Sequence, residues 1–190
     1  RNALGRRMPL DVVKVVPNSA HFGEIMAPSE PGNLVRLLFV GSLDYEPNIQ
    51  AIQWMMSSIL PAIQSRLSVP VHLDIVGRRP SHSLVEFLSG LPGVNLHADV
   101  TSVIPYYERS DIVLAPIRSG GGTRIKIIEA FGHGRPVITT RTGAEGLDAR
   151  DGEHLLYCET PQEFARGVAS LVENPTLRAS IVSAARTLAE

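Results

Sequence analysis

The sequence of 190 residues predicts an α/β domain built on a doubly wound, mostly parallel sheet with helices on both faces. The first observation is that apolar runs of strand length alternate about six times with segments of helical periodicity. The second is that runs such as "LVRLLFV" are apolar throughout, which is typical of strands covered on both faces. The third is that Gly, Pro or Asn closes several of these runs, as expected where strands end.

The predicted strands are short runs rich in Val, Ile and Leu, bounded by residues that favour turns. We expect them at the start of residues 11–22 and at 34–42, 71–77, 94–98, 111–117, 135–140 and 153–158. The continuous apolar character of the run at 34–42 predicts that it is buried on both faces.

The predicted helices begin at residues that favour helix N-termini. Pro47 and Pro161 suit first helical positions, while Ser81 and Thr160 suit N-caps. We expect helices near 47–67, 81–90, 101–110, 122–132, 160–174 and 175–190.

Composition and charge narrow the function classes. A chain that is 44% hydrophobic and 19% charged is globular, and a formal net charge of −1 indicates no affinity for nucleic acid. The single cysteine, Cys158, suits a reducing compartment, so we expect a cytoplasmic protein.

The chain begins without Met, and we expect it to be a piece of a longer protein. The histidines show no metal-ligand spacing, and we expect no metal. They are His21, His72, His82, His97, His133 and His154.

Four loops of unusual composition follow predicted strands. They are residues 41–48, 77–81, 98–102 and 118–126. In an open parallel sheet, ligands bind beyond the carboxyl ends of the strands, so we expect these loops to lie along the edge that carries the site.

The loop at 118–126, "RSGGGTRIK", combines glycines with two cations at the start of a predicted helix. The first N–H groups of a helix have no partner within it, and glycines allow a ligand to approach them closely. Arg124 and Lys126 are unfavourable at a helix N-terminus unless an anion binds there. The pattern predicts a phosphate or diphosphate site formed by the backbone of Gly121, Gly122 and Thr123 and by these two cations.

Glu129 follows on the same predicted helix, about seven residues or roughly 10 Å from its start. Its carboxylate is suited to the vicinal hydroxyls of a ribose whose phosphates cap the helix. A plainer alternative remains open at this point. Lys126, Glu129 and His133 form one helical stripe that would also suit a solvated face, and the glycines would also suit a tight turn.

Several segments, in order, carry a resemblance to a known family: "VVPNSAHF", "LLFVGSLDYEPN", "LDIVGRRP", "DIVLAPIRSGGGTRIKIIEAFGHGRPVITT" and "GAEGL". The chain resembles the C-terminal, donor-binding domain of retaining group 1 (family 4) glycosyltransferases of GT-B fold. The resemblance implies one Rossmann-like domain over residues 1–190. Within it, 1–34 would form a strand and linker on the interdomain side, 35–175 the core and 176–190 a closing helix.

The implied reaction is the retaining transfer of a hexosyl group from a UDP-, GDP- or ADP-linked sugar to an acceptor hydroxyl. Polysaccharide or glycoconjugate biosynthesis in a bacterium is the implied setting. The acceptor residues would lie in an N-terminal domain that this chain lacks, so the chain alone is expected to be inactive. That domain would be its protein partner, and any position of the protein at the inner face of the membrane would depend on it. No membrane insertion by this piece is expected.

The family's Glu-x7-Glu pair is only half present. The second Glu, which contacts the ribose, matches Glu129, but the first, which approaches the donor sugar, falls at Gly121. The resemblance implies that backbone groups at Gly121, Gly122 and Thr123 take over part of that role.

The loop "GSLDYEPN" lacks the cations that the family places on the diphosphate, and Arg124 and Lys126 are the implied replacements. Contacts to the base or the phosphates are implied for Gly41, Arg78, Asp99 and Val100.

Other functions fit less well. A nicotinamide-dependent oxidoreductase would need Gly-x-Gly-x-x-Gly after the first strand, and "GSLDYE" does not supply it. A GT-B nucleotide-sugar epimerase is one alternative, since it would bind a similar donor. A GT-B phosphorylase is another, but it would need a lysine that binds pyridoxal phosphate, and no sequence context suggests one. A degenerate, non-catalytic nucleotide-binding module remains an alternative because of Gly121.

Overall fold

A sheet of six parallel strands forms the centre of the molecule. The computed structural model describes residues 33–121 and 124–190, and the statements below concern those residues. The strands are β1 (Val35–Val40), β2 (Val71–Gly77), β3 (Val94–Ala98), β4 (Ile112–Ala115), β5 (Val137–Thr139) and β6 (Leu156–Tyr157). Their order across the sheet is β3-β2-β1-β4-β5-β6, and every pair is parallel. The predicted fold class is thereby confirmed; the strand predicted within 11–22 lies outside the described residues.

Helices connect the strands and cover the sheet. They are α1 (Glu46–Trp54), α2 (Leu60–Arg66), α3 (His82–Leu88), α4 (Ile104–Arg109), α5 (Ile125–Gly132), α6 (Pro161–Glu173) and α7 (Pro175–Ala189). The predicted caps at Ser81 and Thr160 are present: each hydroxyl accepts a backbone N–H, from Leu84 and Glu163 respectively.

The single helix predicted near 47–67 is wrong in one respect, because a π-helical turn at Met55–Ile59 separates α1 from α2. Pro61 lacks an N–H and its ring conflicts with the carbonyl four residues before it, so a regular α-helix cannot continue through this point. The N–H of Leu60 instead bonds to the carbonyl of Met55, one residue further back than in an α-helix.

The core lies on both faces of β1, which explains its continuous apolar sequence. Leu37 and Phe39 belong to a cluster with residues of α1, α2 and α6, whereas Leu38 and Val40 belong to a second cluster with residues of α5.

The last strand, β6, is shorter than the strand predicted at 153–158. The His154 ring accepts the backbone N–H of Arg150 at 3.0 Å, which holds the preceding residues in a turn.

The sheet order places the carboxyl ends of β1 and β4 side by side. The chain leaves β1 toward β2 on one side and leaves β4 toward β5 on the other, so a crevice opens between the loops that follow β1 and β4.

Within residues 33–121 and 124–190, no helix combines the length and the apolar character of a membrane span.

Candidate functional site

A cavity of about 300 Å³ lies in the crevice between the loops that follow β1 and β4. It brings together five of the residues predicted for the site, Gly41, Gly121, Arg124, Lys126 and Glu129. Gly122 and Thr123 lie outside the described residues.

Helix α5 starts later than expected, at Ile125 and not near 122. Arg124 is its N-cap, with φ −83° and ψ 47°, and so does not belong to the first turn as predicted. Glycine is a poor helix former, which accounts for a helix that begins only after the glycine-rich loop. Glu129 is therefore the fifth helical residue, about 6 Å along the axis from the start and not the predicted 10 Å.

The side chain of Lys126 points into the cavity and contacts residues from the other side of the crevice. Its Nζ donates a hydrogen bond of 2.6 Å to Oδ1 of Asn48 and lies 4.4 Å from the centre of the Phe39 ring. Burial lowers the pKa of Lys126 to about 7, with a further lowering by Arg124 and an opposing effect of Glu129. A poorly solvated cation of this kind gains strongly from a nearby anion.

Arg124 brings a second positive charge to the same cavity. Its side chain is only 10% exposed and lies 3.5 Å from a carboxylate oxygen of the exposed Glu145. Its Nε is buried and has no hydrogen-bond partner among the described residues. A buried donor without a partner costs about 1–3 kcal/mol, so the protein groups around Arg124 satisfy its guanidinium only in part.

Glu129 is held by a buried tyrosine. The Tyr107 hydroxyl donates to the Glu129 carboxylate at 3.1 Å, and the Tyr107 ring stacks on His133 with ring centres 5.0 Å apart. Burial raises the pKa of Glu129, while the Tyr107 hydrogen bond and the charge of Lys126 oppose that rise. Glu129 and His133 therefore pack against Tyr107 of α4 while Lys126 packs against Asn48 and Phe39, so the stripe is not a fully solvated face.

The loop after β1 contributes residues that sequence reasoning did not assign to the site. Asn48 is 5% exposed and bonds Lys126, and the Tyr45 hydroxyl donates to the carbonyl of Gly121 at 3.2 Å. A Cβ atom on Gly41 would lie 2.7 Å from Nδ2 of Asn48 and 2.9 Å from Nζ of Lys126, so glycine is required for this close approach. The "PN" pair at the start of a helix signals a turn, but nothing in the sequence shows that Asn48 faces inward.

The remaining predicted residues lie at the same edge of the sheet but do not line the cavity. Arg78 follows β2 and is exposed, and Asp99 and Val100 follow β3. Asp99 has a φ of +52°, and its carboxylate accepts the backbone N–H of Arg79 at 3.0 Å, so its side chain holds the adjacent loop. Among the described residues, no group of three or more His, Cys, Asp or Glu is placed to hold a metal ion.

Comparison with solved structures finds the same fold in GT-B glycosyltransferases. The Staphylococcus aureus TarM mutant in complex with Fondaparinux, alpha-GlcNAc-glycerol and UDP matches with a TM-score of 0.73 at 17% identity, over 99% of this chain and 38% of that one. Anabaena HepE with UDP and glucose matches with a TM-score of 0.65 at 19% identity, over 83% and 44%. The C-terminal domain of the group 1 glycosyl transferase LpcC from Francisella tularensis matches with a TM-score of 0.63 at 19% identity, over 81% and 83%.

A curated relative and a family model agree with this likeness. An uncharacterized 44.6 kDa protein in the cps region of Klebsiella pneumoniae is 25% identical over 145 residues, which span 73% of this chain and 37% of that protein. The chain thus corresponds to less than half of the length of this relative and of TarM, whereas it covers most of the C-terminal domain of LpcC. The model of the family "Glycosyl transferases group 1" matches residues 35–174. The chain therefore belongs to the group 1 glycosyl transferases.

Proposed function

We propose that the cavity between β1 and β4 binds the nucleoside diphosphate of a sugar donor, and that the chain is the donor-binding part of a retaining glycosyltransferase. The observation that carries this proposal is that Lys126, Arg124 and Glu129 together line one cavity. Two half-buried cations with few protein acceptors suit a diphosphate, and a carboxylate a short distance along the same helix suits a ribose.

Each predicted residue has a role in this proposal. Arg124, Lys126 and the backbone of Gly121, Gly122 and Thr123 bind the diphosphate. Glu129 accepts hydrogen bonds from the ribose hydroxyls, and its bond from Tyr107 fixes the direction of the carboxylate. Contacts to the base or the phosphates are proposed for Gly41, Arg78, Asp99 and Val100.

The chemistry follows from charge. When the bond between the sugar and the diphosphate breaks, negative charge grows on the leaving diphosphate while the sugar becomes electron-poor. Arg124 and Lys126 line the cavity and stabilise that charge more in the transition state than in the intact donor. The hexosyl group then passes to an acceptor hydroxyl with retained configuration, and the residues that hold the acceptor lie outside this chain.

The comparisons support a nucleotide sugar as the donor and suggest which nucleotide to test first. TarM and HepE were both solved with UDP, so UDP is the first nucleotide to test, followed by GDP and ADP. The relative encoded in a cps region supports a role in bacterial polysaccharide biosynthesis.

Calorimetric titration of the 190-residue chain with UDP, GDP and ADP tests the proposal. We expect one nucleotide to bind, and Glu129→Ala to weaken that binding about tenfold because hydrogen bonds to a charged group are lost. Glu173→Ala, on an exposed residue at the end of α6, is the matched control and should bind like the wild type. If no nucleotide binds, the proposal is wrong; if Glu129→Ala binds normally, a degenerate module is favoured.

A further inference from the structure

We infer that Asn48 is a positioning residue for Lys126 and holds its ammonium group where the diphosphate of the donor binds. This inference rests on the proposed function. It goes beyond that function because Asn48, in the first turn of α1, has no assigned role in ligand binding and acts through a side chain on another helix.

The orientation of the Asn48 amide follows from its two hydrogen bonds. Nδ2 donates to the carbonyl oxygen of Ser42 at 2.8 Å, and Oδ1 accepts from Nζ of Lys126 at 2.6 Å. A flipped amide would place an oxygen against the Ser42 carbonyl and an NH₂ group against the ammonium, so only one orientation satisfies both neighbours. The buried amide therefore directs one acceptor at Lys126.

The contact joins the two sides of the crevice. Asn48 is in α1, which follows β1, and Lys126 is in α5, which follows β4, so the bond links residues 78 positions apart. Gly41 leaves the space for it, because any Cβ there would lie within 3 Å of both side chains. Lys126 thus crosses from its own helix to the start of the β1 loop and supplies the charge that this loop lacks.

The chemistry of asparagine suits this task better than that of aspartate. Arg124 and Glu129, both from the α5 segment, are the charged groups that act on Lys126, whereas the contacts from β1 and α1 are the Phe39 ring and the Asn48 amide. Tyr107 of α4 reaches only the backbone carbonyl of Lys126. A neutral acceptor holds the ammonium without cancelling its charge, so that charge stays available to a phosphate, whereas a carboxylate would neutralise it and repel the ligand.

A lysine-selective NMR titration tests the role directly, because Lys14 and Lys126 are the two lysines of the sequence. With ¹³C-labelled lysine, and Lys14→Arg to assign the signals, UDP should shift the Lys126 signal in the wild type. GDP or ADP replaces UDP if calorimetry shows that it is the nucleotide bound. Asn48→Ala should weaken binding about tenfold and, at saturating nucleotide, reduce the Lys126 shift to less than half.

The controls separate the possible outcomes. Asn95→Ala removes an amide that bonds Asp74 outside the cavity and should change neither the affinity nor the shift. Asn48→Asp keeps the size of the side chain and should also weaken binding, because its carboxylate would neutralise the Lys126 ammonium; it replaces Asn48→Ala if that variant fails to fold. Normal affinity in the variants, or weaker binding with a full Lys126 shift, would overturn the positioning role. A wild type that binds none of the three nucleotides would instead overturn the proposed function itself.

Discussion

At the scale of single residues, the proposed site consists of partly buried charged groups with few protein partners, which a bound nucleotide would complete. Lys126 has one neutral acceptor, Arg124 has a donor without a partner among the described residues, and Glu129 shares its cavity with both. The sequence predicted these three residues because glycines, cations and a carboxylate follow one another within a dozen positions. It did not predict Asn48 or Tyr45, because their contacts reach residues more than seventy positions away and depend on the order of the strands.

Nucleotide affinity should depend on pH through Lys126. Burial lowers its pKa from 10.5 to about 7, so above pH 7 the empty site progressively loses the ammonium form. A diphosphate favours that charged form, and its binding must therefore take up a proton and weaken as pH rises. We expect affinity to fall by up to about tenfold per unit above pH 7, where the ligand's phosphates are already ionised.

Calorimetry between pH 7 and 9 measures this dependence, and two buffers of different ionisation enthalpy report the proton uptake. Lys126→Met should bind more weakly and with a flatter profile, because it removes the titrating group. A flat wild-type profile would show that Lys126 stays charged throughout this range.

Tyr107→Phe should weaken nucleotide binding several-fold while the fold remains intact. The change removes the hydroxyl whose single proton is shared between the Glu129 carboxylate and the carbonyl of Lys126, and it costs about 1 kcal/mol of stability. The ring, and with it the stacking on His133, is kept. Titration and urea unfolding measure the two effects, with Tyr106→Phe as the neighbouring control. Equal affinities of Tyr107→Phe and the wild type would show that Glu129 needs no such support.

At the scale of helices and strands, local signals predicted which elements form but not always where they begin. The predicted N-caps at Ser81 and Thr160 are present in the structure, because capping depends only on residues within one helical turn. The π-helical turn before Pro61 was not, since an apolar face continues through it without a break. The start of α5 at Ile125 was also not predicted, because a β-branched residue after glycines and cations gives no N-cap signal.

Thr160→Ala should destabilise the fold by about 1 kcal/mol without changing nucleotide affinity. Thr160 and Glu163 form a reciprocal capping box at the start of α6, and the buried face of that helix includes Phe164 and Val168, far from the cavity lining. Urea unfolding measures the loss. Thr187→Ala, at an exposed position within α7, serves as the control and should be close to neutral. A stability equal to that of the wild type would show that α6 is held by packing alone.

At the scale of the whole molecule, the sequence predicted the fold class and the edge of the sheet that carries the cavity. Both follow from the alternation of strands and helices, which leaves few topologies open. The nucleobase and the sugar are not predicted by any of these residues, because Arg78, Asp99 and Val100 lie outside the cavity lining and their side-chain types favour no particular base.

The chain alone should bind the donor without transferring its sugar. The described cavity gathers groups for a diphosphate and a ribose, whereas the groups that hold and activate an acceptor are expected on another domain. Release of UDP from UDP-glucose, with glycerol as a simple acceptor, measures any activity. Turnover above the uncatalysed background would mean that the chain carries a complete active site.

The position of the cavity between β1 and β4 also implies that the proposed ligand would couple its binding to the folding of the chain. The bonds from Asn48 to Lys126 and from Tyr45 to Gly121 each join the half of the sheet built from β1–β3 to the half built from β4–β6. Neither half contains the whole cavity, so a nucleotide that binds there would bind only after both have assembled, and its binding free energy would add to their cohesion. If the chain were cut in the loop after β3 and the two pieces mixed, the nucleotide should promote their association into one sheet.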